Sequence, residues 1–89
     1  ADLVRELKRF GAKVDVYDPW VNPQEALHEY GIRPIRRPQK GRYDAIVIAV
    51  AHRQFREMGV QTVRSFAKKV HVLYDIKYVF KATDVDGRL

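Results

Sequence analysis

Three short polar clusters follow apolar, β-branched runs in this sequence: Asp18 after Val14–Tyr17, His52 and Arg53 after Ala45–Ala51, and Asp75 and Lys77 after Val70–Tyr74. Carboxylates, an imidazole and cations can accept from hydroxyls, neutralise phosphates and move protons. In open parallel sheets, ligands bind beyond the carboxyl ends of the strands. If the three runs are parallel strands, the clusters share one rim and suit a phosphorylated ligand. A structural reading stands beside each. Asp18-Pro19 is a common way to end a strand. A loop histidine such as His52 can simply bond to backbone. Lys77 is one of many lysines, though its place just after a buried strand favours function.

Other chemistry is excluded by what the chain lacks. The glycines stand at 11, 31, 41, 59 and 87, so neither a dinucleotide fingerprint nor a P-loop can be written. There is no cysteine, hence no disulfide, thiolate ligand or thiol nucleophile, and a weak fit to a reducing compartment. His28, His52 and His71 are too dispersed for a metal site, with His28 in a surface helix and His71 in a strand. No nucleophile elbow is present. The expectation is therefore no catalytic residue, no metal ligand and no cofactor bound by this chain.

The elements that must position these residues follow from periodicity. Leu3, Val4, Leu7 and Phe10 mark one face of a first helix, which Gly11 closes. Because the N-terminus already reads as amphipathic helix, no signal peptide is expected. Lys13–Tyr17 alternates and predicts a short strand. Asn22-Pro23, with Glu25 in the first turn, predicts a helix start, and Gly31 its end. Ile32–Ile35 predicts a short edge strand, since it contains Pro34. The run from Asp44 to Val50 predicts a strand apolar on both faces, as under two helical layers. Phe55, Met58, Val63 and Phe66 face inward from a helical stretch that Gly59 can interrupt, and Val70–Tyr74 is the last strand. The tail from Tyr78 to Leu89 has no assignable pattern. Strands alternating with helices imply an α/β domain with a mostly parallel sheet. At 89 residues one domain is expected, with a thin stability margin.

Charge is the other bulk signal. Lys and Arg number 17 against 11 Asp and Glu, a net +6, which suits an anionic partner or simply solubility. Five of the cations, Arg33, Arg36, Arg37, Lys40 and Arg42, fall in one loop. That loop could contact phosphates, but no aromatic residues interleave with it as a base-stacking platform requires. No apolar run approaches the roughly 18–20 residues that cross a bilayer.

Three stretches taken together resemble a known family: Asp2-Leu-Val-Arg-Glu-Leu leading to Gly11-Ala-Lys-Val-Asp-Val-Tyr-Asp18-Pro19; Tyr43-Asp-Ala-Ile-Val-Ile-Ala-Val-Ala-His52 with Phe55; and Tyr74-Asp75-Ile-Lys77 with Phe80. Their order and spacing are similar to the C-terminal, UDP-binding domain of the UDP-glucose/GDP-mannose dehydrogenase family. The Val-Ala-His and Asp-Ile-Lys versions look most like the branch that oxidises UDP-N-acetylhexosamines for Vi-antigen and O-antigen polysaccharides. The resemblance implies a Rossmann-like three-layer sandwich of about four strands, a fragment lacking the strand and the Phe-Lys and Asp-x-Arg-x-Ser stretch with which such domains usually begin. The strands after Lys13 and Asp44 would then pair directly or leave a gap for another chain.

The resemblance also implies a role. Family members oxidise C6 of a nucleotide sugar to a carboxylate with NAD, held by an N-terminal domain; a middle region carries the catalytic cysteine and dimerises. Residues 1–89 would be the UDP-sugar-binding part, inactive in isolation, with the NAD-binding and middle domains as partners, a homo-oligomeric full-length enzyme, a cytoplasmic location, and neither nucleic acid nor membrane as partner. Lys77 matches a basic residue, arginine in many relatives, that reaches the nucleotide sugar; Asp75, His52 and Asp18 complete the expected substrate-binding set. Two other readings remain at this stage: a basic nucleic-acid-binding module centred on Arg36, Arg37 and Lys40, and a structural or oligomerisation unit without ligand.

Overall fold

The computed structural model describes residues 2–88. They form two compact units that divide between Pro38 and Gln39.

The first unit is two helices and their flanking loops. Helix α1, Asp2–Arg9, ends where Gly11 takes φ +88°. There Gly11 N donates to Lys8 O (2.9 Å) and Ala12 N to Leu7 O (3.1 Å), the paired closure that a left-handed glycine permits. Val4 is buried, whereas Phe10, just past the last helical residue, is 87% exposed. Helix α2, Pro23–Tyr30, starts on Asn22, whose side chain accepts from Gln24 N at 2.9 Å. Its Ala26 is fully buried. The strands expected at Lys13–Tyr17 and Ile32–Ile35 do not form. One backbone bond joins them, Ile35 N to Val16 O at 2.8 Å. A ladder needs repeated pairing, and a single bond does not make one.

The second unit carries the sheet. Strands β1 (Tyr43–Ile48), β2 (Ala67–Asp75) and β3 (Gly87–Arg88) lie in the order β1-β2-β3, all parallel. The α/β class and parallel sheet agree with the sequence reading, but the described strands number three and one of them lies in the unassigned tail. Helices α3 (Arg53–Met58) and α4 (Val60–Ser65) make the crossover from β1 to β2. Gly59 at φ +89° separates them, as its sequence position suggests.

Ile46, Ile48 and Leu73 share one sheet face through their register and pack with Val63, Val79, Phe55 and Met58. The opposite face includes Val70 and Val72, which are 87% and 51% exposed. The expectation of a strand buried on both faces is thus met on one face only: Ala45, in register with Val72, is exposed. His71 has a structural role in β2. Its Nδ1 lies 2.8 Å from Lys68 O and its Nε2 3.0 Å from Arg64 Nη1.

Candidate functional site

The site is built at the carboxyl ends of the strands of the second unit. β2 ends in Asp75, which has no exposed surface. Its Oδ1 accepts from Lys77 N at 3.2 Å and its Oδ2 from Phe80 N at 2.9 Å. A buried carboxylate needs such partners, and here both come from the loop that follows. The loop is also pinned from below. Val79 is in the core, and Arg56 Nε of α3 donates to Val79 O at 3.4 Å. With 75, 79 and 80 turned inward, Lys77 and Tyr78 are left exposed. Tyr78 adopts φ +58°, a region non-glycine residues seldom occupy.

The β1 end contributes His52. It occupies the N-cap position of α3 in an extended conformation, with no capping bond from its side chain. Its ring is half-buried, 5.7 Å from the Phe55 ring and tilted by 43°. The neighbouring Arg53 is exposed and pairs with Glu57 at 3.6 Å, a surface pairing worth little. The structure therefore brings His52, Asp75 and Lys77 to one rim, as the strand-end rule requires.

Asp18 belongs to the first unit. It is buried, and it accepts from Trp20 N at 3.1 Å and Tyr30 Oη at 3.2 Å. Burial, reinforced by the hydrogen bond and charge of Asp18, pushes the Tyr30 hydroxyl above its ordinary range. The carboxylate thus shapes the turn after residue 17 and ties it to α2.

One rim residue escaped the sequence reading. Arg88, in β3, stands in register with Asp75, and its guanidinium carbon lies 3.9 Å from the centre of the Tyr78 ring. The available signal was Asp86-Gly87-Arg88: a glycine where another backbone or ring comes close, followed by a cation. Gly87 meets that description. A Cβ there would stand 2.6 Å from two Tyr74 ring atoms. Among the described residues neither Lys77 nor Arg88 is paired with a carboxylate.

Arg33, Arg36, Arg37, Lys40 and Arg42 are all exposed, and Arg42 donates to Gln39 Oε1 at 2.9 Å. Two surface concavities lie along α2, lined by Gln24, Glu25, His28 and Glu29, and between α1 and α2; neither is lined by a rim residue. Among the described residues no group of three or more His, Cys, Asp or Glu could hold a metal ion. No described helix is long and apolar enough to cross a membrane. The residues do not fit a dinucleotide either. Gly11, Gly31 and Gly59 each end a helix, and Gly41 sits in the turn before β1, so none of these forms the glycine-rich strand-to-helix turn of a dinucleotide fingerprint.

The rim of the parallel sheet carries Lys77 and Arg88, neither paired with a carboxylate among the described residues, and comparison with known proteins decides the lineage. Residues 1–82 match the UDP-glucose/GDP-mannose dehydrogenase family, UDP binding domain. The chain belongs to this family. The UDP-binding domain is 49% identical over 88 residues to UDP-N-acetyl-D-glucosamine 6-dehydrogenase of Pseudomonas aeruginosa and, equally, to the protein of that name from Salmonella typhi. Each alignment covers 99% of this chain and 21% of the relative. The domain thus spans about a fifth of the length of the curated relatives it matches. No solved structure matches it.

Proposed function

We propose that residues 1–89 are the UDP-sugar-binding part of an NAD-dependent nucleotide-sugar 6-dehydrogenase, one that oxidises the C6 hydroxyl of a UDP-N-acetylhexosamine to a carboxylate for surface polysaccharide synthesis. The observation that carries this reading is the exposed Lys77, lifted out of a loop that Asp75 folds beneath it. An ammonium at the carboxyl end of a parallel strand is a point charge suited to a phosphate. Asp75 serves by fixing that loop. His52 offers a half-buried imidazole from the adjoining strand end. Asp18 acts on the turn before α2.

NAD belongs, on this proposal, to portions of the enzyme outside residues 1–89, as does the thiol chemistry that two successive oxidations require. Those portions are also the domain's partners, within a homo-oligomeric enzyme of the cytoplasm. The domain's own work is to bind and orient: it holds the UDP end while the sugar projects toward the reacting groups.

The test is a calorimetric titration of UDP into the full-length enzyme carrying Lys77→Ala. A lost charge-assisted contact should weaken binding about tenfold or more. Unchanged affinity would remove Lys77 from the site.

A further inference from the structure

We infer that Arg88 is a second phosphate-contacting residue of the same site, forming with Lys77 a two-cation clamp for a nucleoside diphosphate, with the Tyr78 ring holding the guanidinium in place. The inference rests on the proposed nucleotide-binding role and adds to it a residue from the far edge of the sheet.

The first support is placement. β3 runs parallel to β2 with Tyr74 opposite Gly87 and Asp75 opposite Arg88. Arg88 therefore leaves the sheet at the end where Lys77 stands. A two-residue strand has too few ladder bonds to hold itself, so its position must come from other contacts. They are present. Asp86 N donates to Leu73 O at 2.9 Å, and Asp86 Oδ2 accepts from Leu73 N at 2.7 Å. Arg64 grips the same carboxylate at 3.0 and 3.2 Å and donates to Asp84 O at 2.9 Å. The Tyr74 ring fills the space a side chain at position 87 would need, and its hydroxyl donates to Arg88 O at 3.3 Å. The residue before Arg88 and its own carbonyl are thus fixed from three directions.

The second support is Tyr78. Its left-handed backbone is one a bulky residue seldom adopts, and the residue is 53% exposed. The centre of its ring lies 3.9 Å from the Arg88 guanidinium carbon. A cation on a ring face is attracted by the ring's quadrupole, and fixing a flexible arginine beforehand lowers the entropy lost when it binds. The contact uses the charge, whereas the fork of N–H donors is what a phosphate recognises bidentately.

The third support is charge. Lys77 and Arg88 have no carboxylate partner among the described residues. Asp75, level with Arg88, is buried and bonded to the amides of Lys77 and Phe80. Two such cations match two phosphates better than one, and they carry no information about the base or sugar.

The experiment titrates UDP by calorimetry and uridine by ligand-observed NMR into the full-length enzyme and its Arg88→Gln and Arg88→Lys variants. Arg88→Gln should weaken UDP about tenfold or more and leave uridine unchanged, because uridine has no phosphate. Arg88→Lys, which keeps charge without the fork, should fall between wild type and Gln. Equal affinity of wild type and Arg88→Gln for UDP would overturn the assignment and leave the Lys77 reading standing. An equal loss of UDP and uridine would also overturn it, by showing that Arg88 only holds the strand. Failure of the wild-type enzyme to bind UDP would overturn the nucleotide reading itself and this inference with it. Should Arg88→Gln not fold, Arg88→Lys carries the test: it must lower UDP affinity and spare uridine, and undiminished UDP affinity would refute the clamp.

Discussion

Asp18 and Asp75 occupy matching places in the two units of the chain, and only one of them ends a strand. Each follows a tyrosine at the close of a β-branched run. Each is buried, and each accepts from the backbone amide two residues on, Trp20 N at 3.1 Å and Lys77 N at 3.2 Å. Each adds a second donor, Tyr30 Oη in one case and Phe80 N in the other. The local chemistry is the same side-chain turn. The settings differ. Residues 13–17 have one backbone bond to their neighbour, whereas 72–75 run beside β1 on one side and, at 74–75, β3 on the other. The lesson is that the aspartate builds the turn and the sheet decides what the turn is for. After Asp75 the loop lifts a cation onto a rim; after Asp18 it leads into α2.

That contrast makes ordered predictions. The largest effect is expected from Asp75→Ala. It leaves two loop amides without their acceptor beneath a fully buried position, and should cost about 2–4 kcal/mol in denaturant unfolding. Asp18→Ala, whose partners are partly exposed, should cost roughly 1–2 kcal/mol and alter the fluorescence of Trp20, the sole tryptophan. If the two variants proved equally damaging, the sheet would not be what separates the two turns.

The smallest effect concerns pH. The hydrogen bonds from Arg64 and from Leu73 N hold the Asp86 carboxyl below its ordinary value of 3.8. A depressed carboxylate stabilises the folded state above its unfolded pKa, and that stabilisation disappears as pH falls through the lower, folded value. Acidification below about pH 4 should therefore loosen β3 before the β1–β2 pair. Amide exchange at Leu73 and Asp86, followed against Val47 and Tyr74, would show it; simultaneous loss of all four would contradict it.

How much of this was legible in the sequence varies by element, for physical reasons. β1, β2 and the helices were readable because burial imposes a period on them: Ile46, Ile48, Leu73 and Val63 had to be apolar. The caps at Gly11 and Asn22 were readable because few residues can do those jobs. Lys13–Tyr17 misled because alternation reports a preference for two-sided exposure, not the presence of a neighbour to pair with. β3 was hidden for the opposite reason. Gly87 and Arg88 carry no pattern of their own and are placed by Asp86, Arg64 and Tyr74. Among the candidate site residues Lys77 could be found from its position after a strand, whereas Arg88 could be found only once β3 was placed. His52 was placed correctly at a strand end, but the ring's setting against Phe55 is a matter of packing.

The Tyr74 ring beside Gly87 puts adjacent positions under unlike constraints. At 87 the limit is volume, since even a methyl group would meet the ring. At 88 the backbone is held, but the side chain beyond it lies over an exposed tyrosine and outside the core cluster of Ile48, Val63, Leu73 and Val79. Position 88 can therefore change its charge, length or donor geometry without any rearrangement of the interior. Constraint by the interior and freedom at the surface thus fall on separate residues, one step apart along the backbone.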